Sequence, residues 1–247
     1  MLRSKEDPLW INVVHLYESY ASQMNLGLIR DEDRWSRFKN ANPYTSKQFT
    51  YLFKDEDQKP LAYVCFQASG SDGRHINIID MAFTKVEGLE AILDFTRRYR
   101  SDFDLVTLLL PRNYPLFSLV TEIPETRHNM GMVRIINVKK VLSLLPKPKV
   151  TADKVIQISV RDEQIKANNN SFFLSIKKDS ESIHVLAAID GTVDAHLKID
   201  IRALSVLVTG DLSFDCYLDS PQIDFDGDLD LLKQVFLTHF NMQNDSY

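Results

Sequence analysis

A change of hydrophobic period near the middle of the chain constrains its fold more than any other feature. Apolar and polar residues alternate over residues 132–138, which predicts a strand. Apolar residues then recur at helical spacing over residues 138–145, and Asn137 can cap that helix. Pro146 and Pro148 end it, because proline lacks a backbone N–H and restricts the residue before it. A strand that closes one unit and a helix that opens the next predict a domain boundary here.

The two halves on either side of this boundary have different element patterns. The first half predicts the order ααβββαβαβ, which is typical of an α/β layer with a mixed sheet. Within it, residues 86–100 predict a helix, and the apolar run Leu105–Leu110 predicts a strand buried on both faces. The second half predicts shorter strands under helices, an α+β pattern. We therefore expect two domains, at residues 1–131 and 132–247.

Composition and charge exclude several classes of protein. A chain of 247 residues with 44% hydrophobic and 26% charged residues is long enough for two globular domains with separate cores. A net charge of -5 disfavours non-specific nucleic-acid binding, because there is no excess of Lys and Arg to replace phosphate counterions. No apolar run is long enough for a membrane span and no signal sequence is evident, so we expect a cytoplasmic protein without membrane partners. Cys65 and Cys216 are expected to be reduced, structural thiols.

Three segments of the chain resemble one known family. Met132–Val138, with the sequence MVRIINV, resembles the passage that enters the C-terminal domain of Eis-type (enhanced intracellular survival) acetyltransferases of the GNAT family. Leu197–Gly210 resembles that family's block L-x-hydrophobic-D-hydrophobic-x-A-L-S-x-L-hydrophobic-x-G. Residues 16–35 are similar to the start of the family's second GNAT domain. The resemblance covers essentially the whole chain.

The resemblance implies a degenerate GNAT-like mixed-sheet domain at residues 1–131 and a sterol-carrier-protein-like domain at residues 132–247. Family enzymes also have a catalytic GNAT lobe that binds acetyl-CoA, and we expect that lobe to be absent from this chain. The chain would then contribute substrate-pocket walls and assembly contacts to an acetyl-CoA-dependent N-acetyltransferase and be inactive alone. The implied substrate is a small amine, and the implied assembly is a homo-oligomer.

The turn that would hold the cofactor departs from the family pattern. A GNAT site binds the diphosphate of acetyl-CoA on backbone N–H groups of an (R/Q)-x-x-G-x-(G/A) turn between a strand and a helix. The equivalent turn follows Phe83, and Lys85 and Gly88 keep its spacing. Glu90 stands where a small residue is needed, and Glu87 adds a carboxylate that repels a diphosphate. We expect an ordinary helix start that binds no cofactor.

The C-terminus carries the one catalytic candidate. In the enzymes that the chain resembles, the terminal carboxylate of an aromatic last residue acts as general base, and here the last residue is Tyr247. A free terminal carboxylate has a pKa of about 3.5 and needs desolvation or a water relay to act near neutral pH. The alternative is a frayed terminus without a role. Both interpretations stay open at this stage.

Other candidate sites are weaker. Asp224–Asp228 has the composition of a calcium loop, but its glycine is fourth rather than sixth and Val235 replaces the bidentate glutamate, so we predict a turn and a helix cap. The six histidines lack ligand spacing, so no metal site is expected. Two non-catalytic alternatives also stay open: a sterol-carrier-like module for lipids or small hydrophobes, and a scaffold without ligand. Ordinary core alternation over residues 155–199 argues against a lipid cavity.

Overall fold

The computed structural model describes residues 1–2, 4–69, 73–111, 114–120, 124–126, 132–239 and 241. The described residues before 127 form one compact unit, and those from 132 to 241 form a second. Each unit has its own cluster of buried apolar side chains, so each can be analysed as a separate hydrophobic core.

The first unit is a mixed four-stranded sheet with helices. Its elements are α1 (Trp10–Ala21), α2 (Glu32–Lys39), α3 (Pro43–Ser46), β1 (Gln48–Lys54), β2 (Pro60–Ser69), β3 (His75–Phe83), α4 (Val86–Arg97), β4 (Leu105–Thr107) and a 3-10 turn (Leu116–Ser118). The strand order is β1-β2-β3-β4; β1, β2 and β3 are antiparallel, and β4 is parallel to β3. Helix α4 is therefore the crossover of a βαβ unit.

Strand β2 lies at the centre of this unit. All five residues of Ala62–Phe66 are buried, and since successive strand residues face opposite sides, both faces of β2 are covered. Helix α4 approaches one face, where Gly88 lies against Ala62. Tyr63 belongs to the opposite face, where its hydroxyl reaches a buried carboxylate described below. The sheet is thus a layer between two helical layers.

The prediction of a long, doubly buried strand over Leu105–Leu110 is wrong. β4 covers only Leu105–Thr107, and Leu105 is 54% exposed. β4 is the last strand of the sheet and pairs on one side, with His75–Asn77, so its own position is at an edge. Leu108 and Leu110 pack against the core without continuing the ladder, which accounts for the apolar sequence.

The second unit is a five-stranded sheet with three α-helices among the described residues. Its elements are α5 (Val138–Ser143), β5 (Lys154–Arg161), β6 (Ser171–Ile176), β7 (His184–Leu186), β8 (Ala195–Asp200), α6 (Ile201–Thr209), β9 (Ile223–Gly227) and α7 (Leu229–Val235), with 3-10 turns at Lys166–Asn168 and Phe214–Tyr217. The strand order is β7-β6-β5-β8-β9, and only the pair β5–β8 is parallel.

One face of this sheet is buried and the other is polar. In β5, Ile156 and Ile158 are fully buried, whereas Gln157 and Ser159 between them are half-buried, as period-two patterning requires. The core lies between the apolar face and the helices. The predicted fold class, an α/β mixed-sheet domain followed by an α+β domain, is confirmed.

The predicted helix of the central stretch is confirmed, but the predicted strand before it is wrong. Asn137 caps α5 by accepting a hydrogen bond from the Lys140 N–H at 2.9 Å. Residues 132–137 form no strand, and Met132 is fully exposed. The backbone N–H of Ile135 donates to the Ser205 hydroxyl instead of to a neighbouring strand. Alternation alone cannot supply the partner strand that a sheet needs.

Asp162 is the polar centre that holds this irregular segment. Its carboxylate accepts hydrogen bonds from Arg134 at 2.8 Å, from the Asn168 amide at 3.0 Å and from the N–H groups of Gln164 and Ile165 at 3.0 and 3.1 Å. Asn168 also accepts from the N–H of Val138, the first residue of α5. Burial by itself raises the pKa of Asp162, but these donors outweigh it and lower the pKa to about 2.

The helix cap predicted at Asp228 is confirmed, whereas the residues before it, Asp224–Gly227, belong to strand β9 and not to a turn. Gly227 ends β9 with φ of 92°, and a Cβ there would lie 2.3 Å from the Asp194 carbonyl oxygen. Asp228 caps α7 by accepting a hydrogen bond from the Leu231 N–H at 3.0 Å.

Replacing Asp162 should destabilise the second unit, because its buried donors lose their acceptor. We expect Asp162→Ala to lower the free energy of unfolding by about 3 kcal/mol in urea denaturation. Asp224→Ala, which removes an exposed carboxylate that pairs with the exposed Lys198, is the control and should change the free energy of unfolding little. An equal effect of the two substitutions would contradict the role of Asp162.

The same carboxylate gives the unit a defined acid sensitivity. The folded-state pKa of about 2 for Asp162 lies below its unfolded value. Its stabilisation is therefore complete above about pH 5 and is lost as the pH falls toward 2. Asp162→Asn should remove this part of the pH dependence of unfolding. If Asp162→Asn lost stability toward low pH as steeply as the wild type, protonation of Asp162 would not be the cause of that loss.

Candidate functional site

The parallel strands β3 and β4 separate toward their carboxyl ends. They pair through three residues only, His75–Asn77 with Leu105–Thr107. Within the part of the chain that the structure describes, residues 78–83 of β3 pair with β2 alone. The turn into α4 begins at this carboxyl end, and ligands of α/β sheets bind outside the carboxyl ends of the strands. This end of the first unit is therefore the candidate site.

A β-bulge interrupts β3 just before this end. Cys65 pairs with Asp80 and the next residue, Phe66, pairs with Ile78, so Ile79 is an extra residue in the ladder. Bulges bend a strand and redirect its side chains. Here the residue after the bulge is Asp80, which is buried in the core.

Gly88 faces the sheet rather than the open end. A Cβ on Gly88 would lie 2.8 Å from the Phe83 Cβ, 3.0 Å from the Leu61 carbonyl oxygen and 3.1 Å from the Ala62 Cβ. Its own N–H donates to the Lys85 carbonyl at 3.0 Å. Glycine is required at this position because α4 packs closely on β2 and β3. The small residue that matches a phosphate-binding pattern in the sequence is thus used for packing.

Two carboxylates lie on the outer side of the same turn. Glu87, in the first turn of α4, and Glu90 are both exposed, as is Lys85. Glu87 complements the positive end of the helix dipole, so an anion approaching the first turn meets negative charge. The structure thus places Lys85, Gly88 and Glu90 together on one turn, with the charged side chains outward and the glycine inward.

Tyr114 lies across the end of β3. Its ring is 5.6 Å from the Phe83 ring, edge to face, and packs against the core of the first unit. Burial, and then the negative charge of Glu90, raise the pKa of Tyr114. An aromatic side chain from the segment after β4 therefore occupies space beside the carboxyl end of β3.

The first unit also contains a buried ion pair that the sequence reasoning missed. Both terminal nitrogens of the Arg30 guanidinium donate to the Asp80 carboxylate, at 2.8 and 2.9 Å, and neither side chain is more than 1% exposed. The Tyr63 hydroxyl donates to the same carboxylate at 2.6 Å. Burial lowers the pKa of Arg30, but its hydrogen bonds to Asp80 outweigh that effect and raise it. Burial and the charge of Asp80 raise the pKa of Tyr63.

Aromatic rings surround the guanidinium of Arg30. Its central carbon lies 3.7 Å from the centroid of Tyr17, 4.9 Å from that of Trp35 and 5.0 Å from that of Phe38. Cation–π contacts add to the ion pair and keep water away from it. A signal for this pair existed in the sequence: Asp80 interrupts the apolar strand HINIIDMAF, and a buried carboxylate needs a cation.

The cysteines, the possible metal ligands and Tyr247 are the remaining candidates from the sequence. Cys65 and Cys216 are free, and burial raises the pKa of Cys65 to about 12, so its thiol is protonated. Among the described residues, no three His, Cys, Asp or Glu side chains converge as metal ligands, and no helix is both long and apolar enough to cross a bilayer. Tyr247 lies outside the described residues.

The second unit has a shallow depression of about 300 Å³ beside α5 and β7. Its lining is mainly polar: Asn137, Lys139, Lys140, Ser143 and Val185. Small-molecule sites for apolar ligands are enclosed and mostly apolar, which this depression is not.

Comparison with known families assigns both units. Residues 26–135 match the acetyltransferase (GNAT) domain family, and residues 138–240 match the sterol carrier protein domain family. The chain carries a GNAT domain followed by a sterol-carrier-protein domain. We call the first unit the GNAT unit and the second the sterol-carrier unit. GNAT domains generally use acetyl-CoA as acetyl donor. No curated protein sequence matches the chain significantly.

Solved structures share the fold over nearly the whole chain. A GCN5-related N-acetyltransferase from Anabaena variabilis has a TM-score of 0.74 and 22% identity, covering 100% of this chain and 61% of its own. A probable N-acyltransferase from Enterococcus faecalis has a TM-score of 0.72 and 14% identity, covering 97% and 59%. Eis1 from Mycobacterium abscessus has a TM-score of 0.57 and 18% identity, covering 94% and 59%. The chain thus spans about three fifths of each relative, and the likeness is one of fold.

Breaking the buried pair of Arg30 and Asp80 should destabilise the GNAT unit. We expect Arg30→Met to lower the free energy of unfolding by about 3–5 kcal/mol, because it leaves a buried carboxylate without its cation. The double variant Arg30→Met with Asp80→Leu should recover part of this loss. Arg74→Met is the control, since it breaks a bidentate pair with Asp104 that is exposed. Denaturant unfolding measures the stability of all three variants. If Arg74→Met lowers the free energy of unfolding as much as Arg30→Met does, the buried pair of Arg30 and Asp80 has no special role in stability.

Proposed function

We propose that this chain is the part of an Eis-like, acetyl-CoA-dependent N-acetyltransferase that does not itself hold the cofactor. In this proposal acetyl-CoA binds a further GNAT lobe, and the present chain supplies walls of the pocket for a small amine substrate and surfaces for homo-oligomer assembly. The chain alone would be inactive. The match to both domain families and the fold shared with N-acetyltransferases support an acetyl-transfer function.

The orientation of Gly88 is the observation that carries the proposal. We infer that acetyl-CoA does not bind the turn after β3, because the Gly88 N–H donates to the Lys85 carbonyl and a Cβ on Gly88 would point at Phe83. A diphosphate approaching from outside would also meet the carboxylates of Glu87 and Glu90. The ring of Tyr114 beside Phe83 takes up further space at the strand end. No catalytic step is therefore assigned to acetyl-CoA at this turn.

The lengths of the related structures leave room for a separate lobe that binds the cofactor. The three solved relatives are each only 59–61% covered by the chain, so they contain substantial further protein. A lobe of ordinary domain size in that remainder would be able to bind the cofactor.

Tyr247 is the catalytic residue of the proposal. Its terminal carboxylate would accept a proton from the amine as general base, provided that the complete enzyme desolvates it or links it to the amine through water. The assignment rests on the resemblance of the aromatic chain end to that of the Eis-type enzymes.

Calorimetry with acetyl-CoA tests the non-binding turn. We expect this chain to show no saturable heat up to about 1 mM acetyl-CoA, and Glu87→Gln with Glu90→Gly to remain silent, because Gly88 still packs inward in that variant. Binding in the micromolar range would contradict the proposal. Lys85→Ala would locate it, since weakened binding in that variant would place the diphosphate at this turn.

A lipid-binding module is the alternative function, favoured by the sterol carrier match at residues 138–240. The interior of the sterol-carrier unit argues against it. The buried side chains between the sheet and the helices have essentially no exposed surface, among them Leu142, Ile156, Leu174 and Leu197. We expect side chains buried to this degree to be closely packed and to leave an acyl chain no space.

Displacement of a fluorescent fatty acid separates the two functions. We expect no saturable binding by the wild-type chain, because a ligand would have to displace packed core side chains. A Kd below about 10 μM, weakened by Leu174→Trp at the core but not by Lys139→Ala at the polar depression, would establish the lipid-binding alternative.

A further inference from the structure

Charge is distributed unevenly along the sequence of the sterol-carrier unit. Residues 132–176 contain eight Lys or Arg and three Asp or Glu, whereas residues 190–230 contain two Lys or Arg and ten Asp or Glu. Residues 177–189, between these segments, contain two of each kind. The unit is therefore basic in its first part and acidic in its second.

The strand order turns this asymmetry along the sequence into an asymmetry in space. Strands β8 and β9, from the acidic part, lie at one edge of the sheet, and β7 is the strand at the opposite edge. Helix α5, from the basic part, packs against β7. Opposite edges of the unit thus carry charge of opposite sign.

The outward side of α5 combines cations with exposed aliphatic side chains. Lys139 and Lys140 are exposed and line the depression that Val185 of β7 also lines. Within the described ranges of the chain, neither lysine forms an ion pair. Ile136 is 75% exposed and Leu144 is 72% exposed, and Leu144 lies one turn beyond Lys140 on the same side. We call Ile136, Lys139, Lys140 and Leu144 the α5 face.

The acidic edge carries carboxylates that the unit itself leaves without a cation. Asp219 precedes β9, Asp226 lies in it and Asp230 lies in the first turn of α7, and all three are exposed. Unlike Asp224, which pairs with Lys198, none of them forms an ion pair among the residues that the structure describes. We call Asp219, Asp226 and Asp230 the β9 face.

We propose that the α5 face of one copy of this chain docks on the β9 face of a second copy. Opposite charges on the two faces attract each other, and the exposed aliphatic side chains add apolar contact. The inference names the surfaces of the homo-oligomer in the proposed function and rests on that part of it alone. It does not depend on acetyl transfer.

The charges also determine the symmetry of this contact. Two α5 faces, or two β9 faces, would bring like charges together, so a twofold interface at either edge is disfavoured. The contact is therefore head to tail. Each added copy presents one free face of each kind, so the assembly grows until it closes into a ring or continues as an open chain.

Sedimentation velocity of this chain at two salt concentrations is the first measurement. At about 25 mM salt, the average mass should rise with protein concentration beyond that of a dimer, because a head-to-tail contact leaves free faces. At about 500 mM salt, the association constant should fall at least about tenfold, because the charges are screened.

Neutralising either face should weaken the association. Lys139→Gln with Lys140→Gln removes the cations of the α5 face, and Asp226→Gln with Asp230→Gln removes two carboxylates of the β9 face. Each of these double variants should lower the association constant at least about tenfold at low salt, because the attraction across the contact is lost.

Arg98→Gln with Arg100→Gln is the matched control for the lysine variant. It also removes two exposed cations, but from the GNAT unit. Its association constant should stay within about twofold of wild type. A loss as large as that of the lysine variant would show that net charge, and not the α5 face, governs association, and would overturn the inference.

A mixture of the two neutralised variants distinguishes a head-to-tail contact from a twofold one. The lysine variant keeps its β9 face and the aspartate variant keeps its α5 face. An equimolar mixture should therefore form 1:1 dimers that grow no further, although each variant alone stays monomeric. If the wild type associates and the mixture of folded variants does not, the two faces do not meet.

Exchanging the charges of both faces in one chain tests the contact without relying on the neutralised variants. Lys139→Glu and Lys140→Glu, combined with Asp226→Lys and Asp230→Lys, keep the two faces complementary with their signs exchanged. This variant should recover the salt-dependent association of the wild type. A folded but monomeric exchange variant would overturn the inference.

The outcomes separate this inference from the proposed function. If the chain associates but neither salt nor the neutralised variants change its association, the homo-oligomer stands and the inference is overturned. If the chain is monomeric at both salt concentrations, assembly through this chain fails as well. If it is monomeric and binds phosphatidylserine vesicles through Lys139 and Lys140, an anionic membrane occupies the α5 face, which also overturns the inference.

Discussion

The buried pair of Arg30 and Asp80 is the interaction on which the GNAT unit depends. Removing two charges from water is costly, and only good geometry with further hydrogen bonds offsets that cost. Here the offset comes from the bidentate contact, the Tyr63 hydroxyl and the aromatic rings around the guanidinium. The pair joins the segment between α1 and α2 to β3 immediately after the bulge. It therefore fixes the part of β3 that leads into the candidate site.

The opposite face of the same strand end is used for packing and not for an ion pair. Phe83 packs against Gly88 of α4 and against the ring of Tyr114. The carboxyl end of β3 is thus engaged in packing on both sides, and the turn that follows directs its glycine inward. The turn where we propose that no diphosphate docks is a packing junction between strand and helix.

The sterol-carrier unit uses a buried aspartate in a similar way. Asp162 ties Arg134 and, through Asn168, the start of α5 to the loop after β5. In contrast to Arg30, the side chain of Arg134 is 37% exposed, so much of the stabilisation comes from neutral donors. In both units an aspartate holds an irregular segment that no strand pairs with.

Local patterns predicted the elements well, and non-local contacts explain the failures. The cap at Asn137, the end of α6 at Gly210 and the alternation of β5 depend on neighbouring residues, and all three agree with the structure. The strands expected at residues 105–110 and 132–138 depended on partners that sequence alone does not specify. Arg30 and Asp80 are 50 residues apart, so only the isolated carboxylate in β3 hinted at their pairing.

Amide NMR of this chain with coenzyme A tests the central claim most directly. If Gly88 faces the sheet and its N–H is bonded to Lys85, the signals of Val86, Glu87 and Gly88 should not move at millimolar coenzyme A. Saturable shifts confined to these three amides would show that the diphosphate docks at the turn, and would contradict the account.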